Sequence, residues 1–424
     1  MNFLPICANA AGVSSSAPSP VHAAVGAVVQ KHADLSFAVA YGSFAESAAR
    51  LAGGSVEVAI CHPPDVPYPI PGHLQVVALL DDDAVLISRS RRPDLRARFH
   101  AGDLRWARGK VWLVGMGPGD PELMTLKADL VLRRADIIFY DSLIDHSVLE
   151  RYPAEHVHVG KRKGKHTRQQ EEINALLYGA ACAGRNVVRL KGGDPFIFGR
   201  GGEEAEYLRR RFVAVEVIPG VSAANAAAAA ANAPLTKRGI SRSLLFQTAH
   251  AGDIPAGDEP TRVFFMGASR LAELSRRLLR DGLDPRTPVT LVQKATFADE
   301  QSLTTTLSGL TAVHLASPLL VIVGGVAGET RAEGKCLFTG DDPYAFPCPE
   351  RVVHFRFQPT CAAQRVPLDG YASVALTSVQ AVDVFAAMYG GIPSELLYYC
   401  ASADVQTRVR MHSPTASAVL CCCR

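Results

Sequence analysis

From residue 111 to about residue 330 the chain repeats one pattern: a short apolar run, then a stretch in which apolar positions recur every three or four residues. The runs "VWLVGMG", "ADIIFYD", "HVHVG", "NVVRLKGG" and "VAVEVIPG" predict short strands buried on both faces. Between them, "ELMTLKADLVLRRA", "QEEINALLYGAACAG" and "GGEEAEYLRRRF" carry helical spacing. Such alternation predicts an α/β fold of parallel strands covered by helices. After Pro234, "SLLFQTAH", "TRVFFMG", "PVTLVQKAT" and "PLLVIVGGV" predict a second group of strands, so the block 109–330 divides into subdomains at about 109–233 and 234–330.

The flanks have a different texture. Residues 24–108 hold the apolar runs "SVEVAI", "LQVVALL" and "AVLIS" with the helical "FAESAARLAGG", and basic "RRPDLRARFHAGDLRWARGK" bridges to the regular block. Residues 331–369, with "GDDPYAFPCPE", read as a linker, and 370–424 as a small partial α/β segment containing "YASVALTS" and "AVDVFAAMYGG". Residues 1–23 lack the basic residues of a signal or transit peptide and read as a disordered leader, which places the protein in the cytoplasm.

Composition narrows the partners. A chain of 424 residues with 48% hydrophobic content can hold two or three domains. A net charge of +3 with 20% charged residues implies no bulk attraction to nucleic acid or to a membrane. The longest uncharged run, "VIPGVSAANAAAAAANAPLT", is too weakly apolar to span a bilayer and predicts a closely packed helix. The 10 cysteines form no C-x-x-C pair, no metal-ligand cluster is visible, and Cys421–Cys423 read as a functionless end because adjacent side chains diverge.

Two glycine loops carry the chemistry. "GMGPGDPELMT" has Gly119 one position too early for a dinucleotide fingerprint, and Pro118 removes a backbone donor. Asp120 and Glu122 put negative charge where a pyrophosphate would sit; acids there stabilise a helix by about 0.3–1 kcal/mol but occupy the anion's place. "GGDPFIFGRGGEE" repeats the logic with Asp194, Glu203 and Glu204 and has no Walker lysine–serine. Together the loops suit a nucleoside-like ligand that is not anionic, and S-adenosylmethionine fits. The glycines would also serve tight βα turns. Glu203 and Glu204 read as helix caps, whereas Gly192, Gly193 and Asp194 together read as ligand contacts, since capping does not account for the flexible pair.

"VGMGPGDPELMTLKA", "YDSLI", "VGKRKGKHTRQQEEIN", "VVRLKGGDPFIFGRGGEEAE", "VIPGVSAA", "PLTKR" and "SPLLVIVGGV" resemble, in order, the signatures of uroporphyrinogen-III C-methyltransferase, of the tetrapyrrole methylase family. The resemblance implies two α/β subdomains with the active site in the cleft between them, and a homodimer. It implies cofactor contacts at Pro118, Gly192, Gly193, Asp194, Ile197, Ser222, Ala223, Met266 and Ala295, with Asp141 as proton acceptor and Lys161 as proton donor. Lys294 and Ala249 depart from a common asparagine and glycine. Two methyl groups would pass from S-adenosyl-L-methionine to pyrrole carbons of uroporphyrinogen III, giving precorrin-2 and S-adenosyl-L-homocysteine. This displacement on a sulfonium methyl needs alignment, a base for the pyrrole N–H and no metal. Arg162, Lys163, Lys165, His166 and Arg168 of the basic loop, with Lys237 and Arg238, are candidates to grip the substrate's carboxylates; the alternative is a solvated basic loop. His250 is open between packing and substrate contact.

Residues 24–108 are similar to the first domain of hydroxymethylbilane synthase, with Asp65 at its catalytic aspartate. Pro64 and Cys61 replace its lysine and histidine, which implies a remnant without synthase activity. "GYASVALTSVQAVDVFAAMYG", with Thr377 and Ser378 in its turn, resembles a piece of uroporphyrinogen-III synthase. The chain then reads as a fusion of neighbouring pathway steps. Two other readings stand: methylation of a later precorrin, and a weakly active docking protein for the neighbouring enzymes.

Overall fold

The computed structural model describes residues 28, 30–40, 44–81, 84–90, 92–160, 170–249, 260–329, 335–339, 351–354, 366–369 and 371–420. The expected leader and the cysteine tail lie outside them. The chain divides into two compact units, Met1–Met116 with Thr125–Gly220, and Gly117–Met124 with Val221–Arg424.

The first unit holds two sheets. Strands β1 (Phe37–Ala40), β2 (Val58–Cys61), β3 (Leu74–Asp81) and β4 (Ala84–Arg89) form a sheet in the order β1-β2-β4-β3, with only β1 and β2 parallel. Helix α1 (Phe44–Ala52) buries Leu51 in the core on one face, and α2 (Pro93–Phe99) buries Leu95 and Phe99 in that of the other. Cys61 lies inside the first of these cores, and burial pushes its thiol up to about 11.

The second sheet of this unit is all parallel. Its strands are β5 (Val111–Gly115), β6 (Ile137–Tyr140), β7 (Glu155–His158), β8 (Val187–Lys191) and β9 (Val215–Ile218), in the order β7-β6-β8-β5-β9. Helix α3 (Leu126–Leu132), capped by Thr125, follows β5, and α4 (His146–Leu149) follows β6. Helices α5 (Gln170–Cys182) and α6 (Gly201–Arg209) precede and follow β8. Ile173, Leu177 and Ala181 of α5 and Ala205 and Leu208 of α6 pack against Val111, Leu113, Phe139 and Val187. The two sheets share packing, since Phe212 adds to the core under β3 and β4 and Arg108 donates to the Arg211 carbonyl at 2.5 Å.

In the second unit, α7 (Ala223–Ala230) precedes β10 (Leu244–Thr248), β11 (Thr261–Phe265), α8 (Leu271–Arg280), β12 (Pro288–Gln293), β13 (Gln301–Thr306) and β14 (Leu319–Val323). The alanine run does form a closely packed helix: Ala224, Ala226 and Ala227 bury in one cluster with Val263, Val292 and Ile322. Sheet order is β10-β11-β14-β12-β13, and β14 runs antiparallel to both neighbours. The expectation of parallel strands throughout is therefore corrected here. No α-helix joins β12 to β13 or β13 to β14, only a 3-10 turn at Gly309–Ala312, and such connections permit antiparallel pairing.

The last sheet corrects the reading of 331–369 as a linker. Strands β15 (Lys335–Phe338) and β16 (Arg351–His354) lie in that stretch. They join β17 (Tyr371–Leu376), β18 (Leu397–Cys400) and β19 (Ser417–Leu420) in an all-parallel sheet ordered β16-β15-β17-β18-β19. Helices α9 (Val379–Tyr389) and α10 (Ala403–His412) are capped by Ser378 and Ser402. Each of the two missed strands is 4 residues long. Among the described residues no helix is long and apolar enough to cross a membrane.

Candidate active site

Parallel strands β5, β6 and β8 end at one edge of their sheet, which brings the loops after Gly115, Tyr140 and Lys191 together. Three glycine backbones touch there. A Cβ on Gly220 would lie 2.2 Å from the Gly193 carbonyl oxygen, and one on Gly115 would lie 2.6 Å from the same atom. Gly193 has φ +66°, a conformation that costs other residues energy. Asp194 ties the turn: its Oδ1 accepts from the Phe196 N–H at 2.8 Å and its Oδ2 from the Gly220 N–H at 3.1 Å. These two backbone donors are thereby taken by a carboxylate and are not left for an anion. Ile197 is half-buried beyond this turn, and a Cβ on Gly192 would meet only Leu143, at 3.4 Å.

Asp141, just after β6, belongs to a buried ion network. Arg189 Nη2 lies 2.6 Å from Asp141 Oδ1 and Arg189 Nε 3.2 Å from Glu204 Oε1. Lys191 Nζ lies 3.1 Å from both Glu204 oxygens, and Gln170 donates to Oε1 at 3.1 Å. The side chain of Glu204 is 0% exposed and that of Arg189 3%, while that of Asp141 is 27% exposed. Two cations face two carboxylates, the balance that makes burial of charge tolerable. Burial pushes the Lys191 ammonium below its usual range, and the Arg189 charge adds to this against the pull of Glu204. For Arg189 burial acts in the same direction, but Asp141 and Glu204 outweigh it and raise the guanidinium.

The reading of Glu203 and Glu204 as a capping pair needs correction at Glu204, which is the counter-ion of two buried cations. Glu203 pairs with Arg200 on the surface. Sequence reasoning missed Arg189 and Lys191 as well. The signal was present in "VVRLK", since two cations inside a strand buried on both faces require an acid from the next helix.

In the second unit, β11 and β12 also end at one edge, each antiparallel to β14. Met266, Lys294 and Thr296 follow them with φ +58°, +49° and +73°, a strained conformation for side chains of this kind. Met266 is 53% exposed and Ala295 is buried. The loop holding Pro118 packs on the loop after β12: a Cβ on Gly119 would come within 2.3 Å of the Phe297 ring, and the Asp120 N–H donates to Thr296 Oγ1 at 3.0 Å. Thr296 N–H donates in turn to the buried Glu300 at 2.7 Å, and Lys294 pairs with Asp299. Ser222 caps α7 by accepting from the Ala224 N–H at 3.3 Å, and Ala223 packs in the cluster that contains Ala295. The structure thus gathers Pro118, Ala223 and Ala295 around one core and its adjoining loops. Arg238 lies in a tight turn beside a pocket of about 670 Å³ lined by Thr236, Lys237, Arg238, Ser241 and Arg242. Lys161, Arg162, Lys163, Lys165, His166, Arg168 and His250 lie outside the described residues.

Residues 110–311 match the Tetrapyrrole (Corrin/Porphyrin) Methylases. This segment is a tetrapyrrole methylase domain. The parallel sheet of β5–β9 lies within these residues, the mixed sheet of β10–β14 extends past them to Val323, and the fold of the domain is α/β. A siroheme synthase of a Psychrobacter species is 42% identical over 236 residues, which are 52% of this chain and 48% of that protein. The siroheme synthase of Gluconacetobacter diazotrophicus is 45% identical over 51% of this chain and 50% of its own length. The chain spans about half the length of these curated relatives. Among solved structures, a uroporphyrin-III C-methyl transferase from Thermus thermophilus complexed with S-adenyl homocysteine is 42% identical, covering 52% of this chain and 99% of that one with a TM-score of 0.47.

Proposed function

We propose that the methylase domain transfers two methyl groups from S-adenosyl-L-methionine to pyrrole carbons of uroporphyrinogen III, giving precorrin-2 for sirohaem or corrinoid synthesis. The observation that carries this reading is the match of residues 110–311 to tetrapyrrole methylases, with siroheme synthases 42–45% identical over about half of the chain. Geometry supports it. Asp194 occupies the N–H groups of Phe196 and Gly220, and Pro118 offers none, so the loops favour a zwitterionic or cationic ligand over a phosphate.

The residues that would hold the cofactor are Gly192, Gly193, Asp194, Ile197, Pro118, Ser222, Ala223, Met266 and Ala295. When bound, the cofactor supplies a methyl group on a sulfonium. Asp141, whose carboxylate Arg189 fixes at 2.6 Å, would take the pyrrole N–H proton, and Lys161 would return one. Arg162, Lys163, Lys165 and Arg238 would bind the substrate's carboxylates, Arg238 from the basic pocket.

The flanking sheets read as remnants: 24–108 of a hydroxymethylbilane synthase and 370–424, with β15 and β16, of a uroporphyrinogen-III synthase. A homodimer in the cytoplasm completes the proposal. Calorimetry tests its cofactor: S-adenosylhomocysteine should bind the full chain and ATP should not. Uptake of ATP alone would overturn it.

A further inference from the structure

The loop after β12 is held on two sides. One side faces the Pro118 loop, through Phe297 against Gly119 and Thr296 Oγ1 under the Asp120 N–H. The other side faces the C-terminal sheet. Tyr371, the first residue of β17 and 6% exposed, donates its phenol O–H to the Ala298 carbonyl at 2.5 Å. Ala298 packs against the apolar cluster formed by Leu337, Val374, Phe385 and Tyr398, the core of that same sheet. Lys294 and Ala295 directly precede these anchors, and Lys294 and Thr296 are both left-handed. A backbone held in such conformations persists only where its surroundings over-determine it. The Thr296–Glu300 bond supplies one restraint from within the loop, and Tyr371 supplies the other from a separate sheet.

We propose that Tyr371 is a positioning residue, and that the C-terminal sheet sets the methylase domain's affinity for its cofactor by fixing residues 294–300. The proposal rests on the reading of Pro118 and Ala295 as cofactor contacts. It gives the C-terminal sheet a role that needs no catalysis from it. Coupling of this kind is reciprocal: if the sheet tightens the loop for the cofactor, the cofactor must tighten the sheet.

The test is calorimetric binding of S-adenosylhomocysteine to the full chain, wild type beside Tyr371→Phe and Tyr389→Phe. Tyr389 makes a like phenol-to-carbonyl bond, to Val366 at 2.7 Å, within the same core. Tyr371→Phe is expected to weaken binding about fivefold, the effect of one lost hydrogen bond, and Tyr389→Phe to leave it unchanged. Equal affinity for all three proteins, or equal weakening by both variants, overturns the inference while leaving the cofactor reading intact. Absence of binding by the wild type overturns both. A second measurement does not depend on a variant folding: S-adenosylhomocysteine added to wild-type protein should slow amide exchange in residues 371–376, and unchanged exchange there contradicts the coupling.

Discussion

Arg189 lies between two carboxylates, reaching Asp141 at 2.6 Å with one nitrogen and Glu204 at 3.2 Å with another. The guanidinium is a planar fork that a lysine cannot reproduce. Arg189→Lys should therefore keep the charge but lose the aim of Asp141. Methyl transfer is expected to fall by about 10- to 100-fold, the order produced by displacing a reacting group. The affinity for S-adenosylhomocysteine, measured by calorimetry, should stay within about twofold, since a hydrogen bond lost from the cofactor would cost more than that.

Glu204 answers two buried cations at once. Glu204→Gln leaves Arg189 and Lys191 with Asp141 as the remaining acid of the network, and uncompensated buried charge costs about 3 kcal/mol or more. Denaturant unfolding of the full chain should show the loss in the first unit. Glu203→Gln, at a surface ion pair, should stay within about 0.5 kcal/mol of wild type.

Gly220 has no room for a side chain, because its Cβ would overlap the Gly193 carbonyl at 2.2 Å and neither backbone can retreat without breaking the Asp194 ties. Gly220→Ala should destabilise by about 1–3 kcal/mol and abolish S-adenosylhomocysteine binding in a titration. Gly202, in α6, has nothing within 4 Å, so Gly202→Ala should raise stability by up to about 1 kcal/mol in the same melts.

How far the sequence carried these conclusions depends on the length and charge of each segment. Val111–Gly115, Ile137–Tyr140 and Val187–Lys191 were legible because a strand buried on both faces leaves an apolar run. Strand direction in the second unit was not legible, because an antiparallel β14 has the same apolar run as a parallel one. Strand β13, "QSLTTT", gave no signal: it is an exposed edge whose pairing comes from its backbone. Among site residues, Asp194 could be singled out beside its glycines, but its partners could not. Gly220 reaches Asp194 from another loop, 26 positions away, and such a contact leaves no local pattern. Arg189 and Lys191 were hidden by their place in a strand otherwise read as apolar.

Glu216 links β9 to Lys110, at 2.6 Å, and to Lys127. Hydrogen bonds from these two ammonium groups hold its carboxyl at about 2, against an ordinary 4.5. A folded-state value below the unfolded one means that the pair stabilises the protein above about pH 4.5 and ceases to do so as the pH falls toward 2. Melting curves across that window should show wild type losing its advantage over Glu216→Gln. The gap should be modest, because the group is partly exposed and screened by solvent.

The most direct test of the central claim is product analysis after anaerobic incubation of the full chain with uroporphyrinogen III and labelled S-adenosylmethionine. A tetrapyrrole carrying two added methyl groups, formed by wild type and not by Asp141→Ala, is the expected result. Wild-type protein that binds the cofactor but transfers no label to uroporphyrinogen III would contradict the account.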